Sequence, residues 1–282
     1  MYTFLCAGAI DRAENVCRSV LDFCEKGAKK PTYLRFFALT DIMVVQKRAA
    51  FGRKAEGEHS LRLRYKTVLF DFDGTICASG EGIMHCAALA LQEMGVPVPP
   101  RETLRRFIGP PAEDCYQNFC GMTPEQAVEA VRRFRVHYDS TGWLKTEMYP
   151  GVPELLRDLR AAGAVVCTAS SKPFMMVERL LQHFGVEQLF SQLCAADNDG
   201  GNAAKAQVIR KAMALCGTNS LTDTVMIGDT HYDAEGAAEV GLPFVGAAYG
   251  YGGKEDLKAG GAVCFADSPA DLRRYLFIKE PS

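Results

Sequence analysis

Two carboxylates one residue apart, Asp71 and Asp73, close the apolar run in Val68-Leu69-Phe70-Asp71-Phe72-Asp73-Gly74-Thr75. Side chains alternate along an extended backbone, so both acids point to one side while Phe72 points to the other. Gly74 lets the chain turn sharply straight afterwards. Like charges this close on an apolar platform repel each other. They persist where a cation, a shared proton or phosphate chemistry compensates them. Asp and Gly are also what turns are made of, so the octet alone fits an acidic turn equally well.

Three other stretches carry residues of the same chemical kind. Thr168-Ala169-Ser170-Ser171-Lys172-Pro173 follows the apolar run Ala164–Cys167 and leads into a helix start. Hydroxyls and free backbone N–H groups there hold an anion or cap the helix. Gly228-Asp229-Thr230-His231-Tyr232-Asp233 follows another apolar run, Thr224–Ile227, and ends it in a carboxylate. Asp233 fits either a second acid of the site or a helix cap. Lys205 opens a helical pattern after the polar loop Asp197–Asn202, and by itself it reads as a solvated lysine.

The elements that must position these groups follow from periodicity. Val68–Phe70 reads as a strand buried on both faces, the kind found inside a parallel sheet. Ile83, Ala87, Leu91 and Met94 then fall at helical spacing, with Gly95 and Pro97 as the stop. Thr123-Pro124-Glu125-Gln126 is a capping box, followed by an apolar stripe of Val128, Val131, Phe134 and Tyr138. Residues 79–146 therefore read as an all-helical cap that leaves just after the two aspartates and sits over them. From Tyr149 onward helix and strand alternate. Helices are expected over Pro153–Ala162, Pro173–Phe184, Ala203–Leu215, Asp233–Val240, Lys254–Ala259 and Pro269–Leu276. Strands are expected over Ala164–Cys167, Thr224–Ile227, Pro243–Ala247 and Ala262–Ala266, with a short apolar segment over Leu193–Ala196. Such alternation predicts an α/β fold, a Rossmann-like three-layer parallel sheet core made of residues 67–78 and 147–282. Ligands of such sheets bind beyond the carboxyl ends of the strands, where all four stretches fall.

Composition narrows the classes of function. The chain has 282 residues, 48% of them hydrophobic, enough for a sizeable core, and no apolar stretch approaches the length of a membrane span. Its start lacks the pattern of a signal peptide. Eleven cysteines without a CxxC spacing fit buried thiols in the cytoplasm better than disulfides or zinc. Residues 1–66 hold 13 Lys or Arg against 7 Asp or Glu, while the remainder holds 19 against 27. An acidic main body argues against nucleic acid as a partner. The basic leader, with a helix expected over Asp11–Cys24, is expected to be non-catalytic, and translation beginning nearer Met43 is one reading of it. Deleting residues 1–60 would then leave turnover intact.

Taken together in order, Asp-x-Asp-Gly-Thr, a Ser/Thr pair, a helix-opening lysine and Gly-Asp-x-x-x-Asp resemble the four motifs of the haloacid dehalogenase-like hydrolase superfamily. The resemblance spans about residues 67–270. Phe107-Ile108-Gly109-Pro110-Pro111, Tyr149-Pro150-Gly151-Val152, Ser170-Ser171-Lys172-Pro173, His183-Phe184-Gly185 and Tyr249-Gly250-Tyr251-Gly252 look like the phosphoglycolate phosphatase-like branch with an alpha-helical cap. Alignment on Ser-Lys-Pro favours Ser170 as the hydroxyl of the second motif, with Thr168 as the alternative.

The resemblance implies a phosphatase acting on a small phosphorylated metabolite. Asp71 would be the nucleophile and form an aspartyl phosphate. Asp73 would protonate the leaving oxygen and later deprotonate water. Mg²⁺ would sit on Asp71, the Asp73 backbone carbonyl and Asp229, with Asp233 further out. Ser170 and Lys205 would hold the transferring oxygens. Gly74, Thr75 and Ser171 are expected beside the substrate, with Arg105, Arg106 and Gly109 as the cap's candidates for contacting the leaving group. A 5'-nucleotidase, another small-metabolite phosphatase, a sugar phosphomutase and, remotely, a non-catalytic binding protein are the alternatives. Gly250-Tyr251-Gly252-Gly253 lacks the context of a nucleotide loop and reads as a turn, and Asp197–Asn202 lacks the pattern of a calcium loop. For one ion to join them, the carboxyls of Asp71 and Asp229 must lie within about 8 Å.

Overall fold

The computed structural model describes residues 62–198 and 201–278. The helix expected over Asp11–Cys24 lies outside the described residues, as does nearly all of the basic leader. Strand β1 (Arg62–Leu63) precedes β2 (Thr67–Phe70), in which every residue is buried. A short strand β3 (Cys77–Ala78) follows the two aspartates and leads into helix α1 (Gly80–Glu93). Then come α2 (Arg101–Arg105), α3 (Ala112–Cys120), α4 (Pro124–Ser140) and a 3-10 turn, Gly142–Lys145. Strand β4 (Glu147–Met148) closes this excursion by pairing antiparallel with β3. The helical insertion thus leaves and re-enters through one narrow neck.

Inside the insertion α1 and α4 face each other through Cys86, Ala87, Ala90 and Leu91 on one side and Ala127, Ala130 and Val131 on the other. Small residues at these positions let the two helices approach closely. Thr123 caps α4 as its sequence predicts: its hydroxyl accepts the Gln126 N–H at 3.3 Å, and the Gln126 side chain accepts the Thr123 N–H at 3.0 Å. The apolar stripe departs from expectation at one position, because Val128 is exposed and Ala127 takes its place in the core.

The remainder builds the α/β layers. It contains α5 (Val152–Ala161), β5 (Val165–Thr168), β6 (Ser170–Pro173), α6 (Phe174–His183), β7 (Ala195–Ala196) and α7 (Lys205–Leu215). Then follow β8 (Thr224–Gly228), α8 (His231–Val240), β9 (Phe244–Ala247), α9 (Gly253–Ala259), β10 (Phe265–Ala266), α10 (Arg273–Leu276) and β11 (Phe277–Ile278). Five strands form one parallel sheet in the order β10-β9-β8-β2-β5. Alternation along β2 divides its side chains between two cores. Val68 and Phe70 join the larger apolar cluster, and Leu69 joins a second one with Cys167, Met226, Ile209 and Ala212. Each such side chain contributes roughly 1.5–3 kcal/mol on burial. Helices on both faces make the three layers that the alternation predicts.

Register decides what meets at the sheet's edge. Phe70 lies opposite Thr168 on one side and Ile227 on the other. The residues just beyond, 71, 169–170 and 228–229, therefore emerge together. Several details depart from the sequence reading. Ser170–Pro173 is a short strand paired with Ala195–Ala196 rather than a loop, since the Thr168 hydroxyl ties the neighbouring Cys194 backbone at 2.8 Å in both directions. The last sheet strand is only two residues long, because Gly260 and Gly261 turn the chain just before it. Arg62 and Leu63 pair with Ile278 and Phe277. All eight described cysteines are free thiols, and no described helix is long and apolar enough to cross a membrane.

Candidate active site

Asp71 directly follows β2, which lies between β8 and β5, and its backbone N–H donates to Ile227 O at 2.8 Å. Its carboxylate is buried, as are Asp229 and Asp233 from the neighbouring β8–α8 junction. Oxygens of these three acids lie within 4.8 Å of one another. This is well inside the reach that a shared ion requires. Lys205 answers part of that charge, with Nζ 2.7 Å from both Asp71 Oδ1 and Asp233 Oδ1. A lysine in the first turn of α7 opposes the helix dipole, so the two carboxylates rather than the helix hold it there.

Asp233 caps a helix and also lies in the acid cluster. One oxygen accepts the Thr230 N–H at 3.1 Å and the Thr230 hydroxyl at 2.8 Å, capping α8, while the other faces Lys205. Helix α8 accordingly starts two residues before Asp233. Asp229 Oδ2 accepts the Tyr251 N–H at 2.7 Å, whereas its buried Oδ1 has no partner. The whole carboxylate occupies space left by glycine. A Cβ at Gly74, which sits at φ +86°, would overlap it, and so would one at Gly250.

Asp73 has its own cation. Lys172 Nζ lies 3.0 Å and 3.1 Å from its two oxygens, and the Ser79 hydroxyl donates to Oδ1 at 2.5 Å. Lys172 also meets the Tyr138 hydroxyl of α4 at 2.9 Å, which joins the insertion to the α/β layers. The Ser-Lys-Pro stretch signalled this lysine, yet sequence reasoning gave it no role. Ser79 and Tyr138 had no signal beyond helix start and apolar stripe.

Burial sets the protonation of the cluster. It pushes the Asp71 carboxyl up to about 6, against the opposing pull of Lys205 and with help from Asp233 and Asp73. Asp229 rises well above the usual carboxylate range, because it is buried beside Asp233 and Asp71. For the two lysines burial works against the charge, but Asp73 and Tyr138 beside Lys172, and Asp233 and Asp71 beside Lys205, outweigh it and hold both above their ordinary values. With all four buried acids ionised, as a cation would require, two negative charges remain beyond those of the two lysines. Together with the orphaned Asp229 oxygen, this donor set fits a hard divalent cation with oxygen ligands.

The other predicted residues divide into two groups. Ser170 is buried, and its hydroxyl accepts the Lys172 N–H at 3.2 Å. The Thr168 hydroxyl is committed to the Cys194 backbone, donating to its carbonyl and accepting its N–H. Ser171 and Gly109 line a cavity of about 580 Å³ into which Asp73 opens, and the buried Thr75 hydroxyl has no partner. Arg105 and Arg106 do not line this cavity. Arg105 donates to Tyr251 O at 2.9 Å, and Arg106 stacks on Phe119 at 4.0 Å, both on a separate 290 Å³ cleft. The arginines on the Asp73 cavity are Arg135 and Arg179, with Phe107, Tyr116, Phe134 and Tyr138 as its aromatic lining.

Paired acids just beyond an interior strand of a parallel sheet, each held by a lysine, define the class: an enzyme with an α/β core that hydrolyses phosphoric monoesters. The comparisons with known proteins agree. The sequence pattern of the haloacid dehalogenase-like hydrolases matches residues 68–247, and the chain belongs to that family. It is 32% identical over 214 residues to a 5'-nucleotidase of Pseudomonas aeruginosa, covering 76% of this chain and 96% of that one. Over 214 residues it is 36% identical to the tyrosine-protein kinase PtkA of Mycobacterium tuberculosis, covering 75% and 72% of the two chains. The crystal structure of a predicted phosphatase from Clostridium acetobutylicum superposes with a TM-score of 0.72 at 32% identity, over 75% of this chain and 97% of that one. Phosphoglycolate phosphatases match at somewhat lower identity.

Proposed function

We propose that this protein is a Mg²⁺-dependent phosphatase that hydrolyses a small phosphate monoester through an aspartyl phosphate on Asp71. One observation carries the reading: two acids one residue apart, just beyond one strand, have separate cations, Lys205 for Asp71 and Lys172 for Asp73, so they are equipped for different tasks. An Asp71 oxygen attacks phosphorus as the ester P–O bond breaks, and Asp73 gives its proton to the leaving oxygen. Water then attacks the same phosphorus, Asp73 takes a proton from it, and the Asp71 acyl phosphate bond breaks to release inorganic phosphate. Lys205 and Ser170 would give the transferring oxygens positive charge and a hydrogen bond. Lys172 fixes the plane of the Asp73 carboxyl. Asp71, Asp229 and Asp233, with the Asp73 carbonyl, are the groups that would hold Mg²⁺, which screens carboxylate from phosphate when bound.

The size of the cavity bears on the leaving group. Phosphoglycolate carries only two carbons, whereas about 580 Å³ lined by four aromatic rings and two arginines suits a larger, partly flat alcohol. A nucleoside 5'-monophosphate is therefore the preferred substrate class, and the relative named a 5'-nucleotidase points the same way. Phosphate release from nucleoside monophosphates, phosphoglycolate and sugar phosphates, each with and without Mg²⁺, tests the proposal. Release that needs Mg²⁺ and is fastest for nucleotides supports it. An isomerised sugar phosphate would make the protein a mutase, and no release from any ester would refute the enzyme.

A further inference from the structure

Tyr251 touches the acid cluster and the helical insertion at the same time. Its backbone N–H donates to Asp229 Oδ2 at 2.7 Å. The phenol oxygen accepts the N–H of Gly80, first residue of α1, at 2.6 Å. Its carbonyl accepts from Arg105 of α2 at 2.9 Å, with that guanidinium 5.6 Å from the ring centroid. The same loop also holds the chain on either side of the neck. The Tyr249 hydroxyl donates to Thr75 O at 2.8 Å, and its ring meets Tyr149, on the return path, edge to face at 5.0 Å. Gly250 lies so close to Asp229 and to the Gly74 carbonyl that no side chain fits between them.

We infer that Tyr251 is a positioning residue that couples the seating of the helical insertion to the placement of Asp229. The inference rests on the reading of Asp229 as a metal ligand. When α1 and α2 are seated, Gly80 and Arg105 fix the Tyr251 side chain and carbonyl, and its N–H then holds one Asp229 oxygen in place. That bond fixes the carboxylate as a whole, and the other oxygen has no partner of its own. Coupling of this kind is reciprocal, so a cation on Asp229 favours the seated insertion by the same factor.

Trp143 makes the coupling measurable. It is the sole tryptophan of the chain and lies in the insertion, with its ring 4.2 Å from the Arg179 guanidinium and 5.2 Å from the His183 ring, both on α6 of the α/β layers. Its emission therefore reports the seam between the two parts.

The test compares the full chain with Tyr251→Phe, which deletes the phenol oxygen that accepts from Gly80 and also meets the Ser79 and Tyr149 side chains. Mg²⁺ binding is followed by calorimetry and by Trp143 emission without substrate, and turnover with p-nitrophenyl phosphate. In the wild type Mg²⁺ shifts the emission. In Tyr251→Phe binding weakens by about fivefold or more, the emission shift shrinks, and kcat falls with KM within about twofold. A variant that binds Mg²⁺ and turns over like the wild type overturns the coupling. So does a wild type that binds Mg²⁺ with no change in emission. If the wild type binds no Mg²⁺, the metal reading itself fails, a separate result. Should Tyr251→Phe not fold, the exposed Arg105→Ala carries the test: weaker Mg²⁺ binding in the same direction supports the inference, and unchanged binding overturns it.

Discussion

The floor and the roof of the site are built by different means. On the floor, Asp71, Asp229 and Asp233 are fixed by strand ends in register, crowded against glycines and neutralised by one lysine within 2.7 Å of two of them. The roof is made of helices that meet the floor through single contacts, such as Tyr138 on Lys172, Gly80 on Tyr251 and Trp143 beneath Arg179. The floor is rigid because moving any acid disturbs a sheet. The roof shares an apolar cluster with the α/β layers, but over the acids it is tied by a few polar contacts that can be exchanged, which is what a part that must admit and release substrate requires. Chemistry should therefore be intolerant of change in the floor, and substrate choice should respond to change in the roof.

The largest effect that can break this contrast is at the nucleophile. Asp71→Asn should lower phosphate release by a factor on the order of 10⁴ or more while circular dichroism stays native. Turnover like that of the wild type would remove Asp71 from the chemistry. Next comes Lys172→Met, which leaves Asp73 buried with Ser79 alone. Activity should fall by about 10²-fold, and a stability loss of roughly 3 kcal/mol should appear as a lower urea midpoint. Loss of stability with full activity would make Lys172 purely structural.

Protonation gives a third test. Without metal the Asp71 carboxyl of the folded protein titrates near 6, against an ordinary 3.8, so the folded state holds the extra proton between these values. That contribution favours folding at the acid end and is lost as pH rises through the window, on the order of 3 kcal/mol in all. A cation needs the ionised acids. Mg²⁺ should therefore raise Tm by several degrees at about pH 7.5 and by much less at about pH 5. An equal gain at both would show that the ion does not bind these carboxylates. The smallest effects belong to the roof. Arg179→Ala should raise KM for a nucleoside monophosphate about fivefold and leave p-nitrophenyl phosphate unchanged, whereas Arg106→Ala should change neither beyond about twofold. The reverse pattern would return substrate recognition to the smaller cleft.

The same contrast explains what could be read from the residues in order. A buried strand ending in Asp-x-Asp-Gly-Thr, and another ending in Gly-Asp, are local patterns, and parallel register brings their ends together without further information. Lys205 stood out only through its place between them. Contacts across the neck are different. Ser79 and Tyr138 look like any helix start and any apolar stripe, and their bonds to Asp73 and Lys172 depend on how α1 and α4 settle on the sheet. Arg105 and Arg106 were attractive for their charge, but the short α2 turns both towards the smaller cleft, and the cavity takes its arginines from α4 and α6 instead. Alignment on Ser-Lys-Pro favours Ser170 over Thr168, whereas the tie between the Thr168 hydroxyl and the Cys194 backbone has no signal in the sequence.

The most direct test of the mechanism is to trap the phosphorylated enzyme. Wild-type protein mixed with substrate and Mg²⁺ is quenched, reduced with borohydride and mapped by mass spectrometry, a treatment that converts an aspartyl phosphate to homoserine. The account predicts homoserine at position 71 alone, absent from Asp71→Asn and from samples without substrate. Reduction at Asp73 or Asp229, or at no residue in an actively hydrolysing sample, would contradict it.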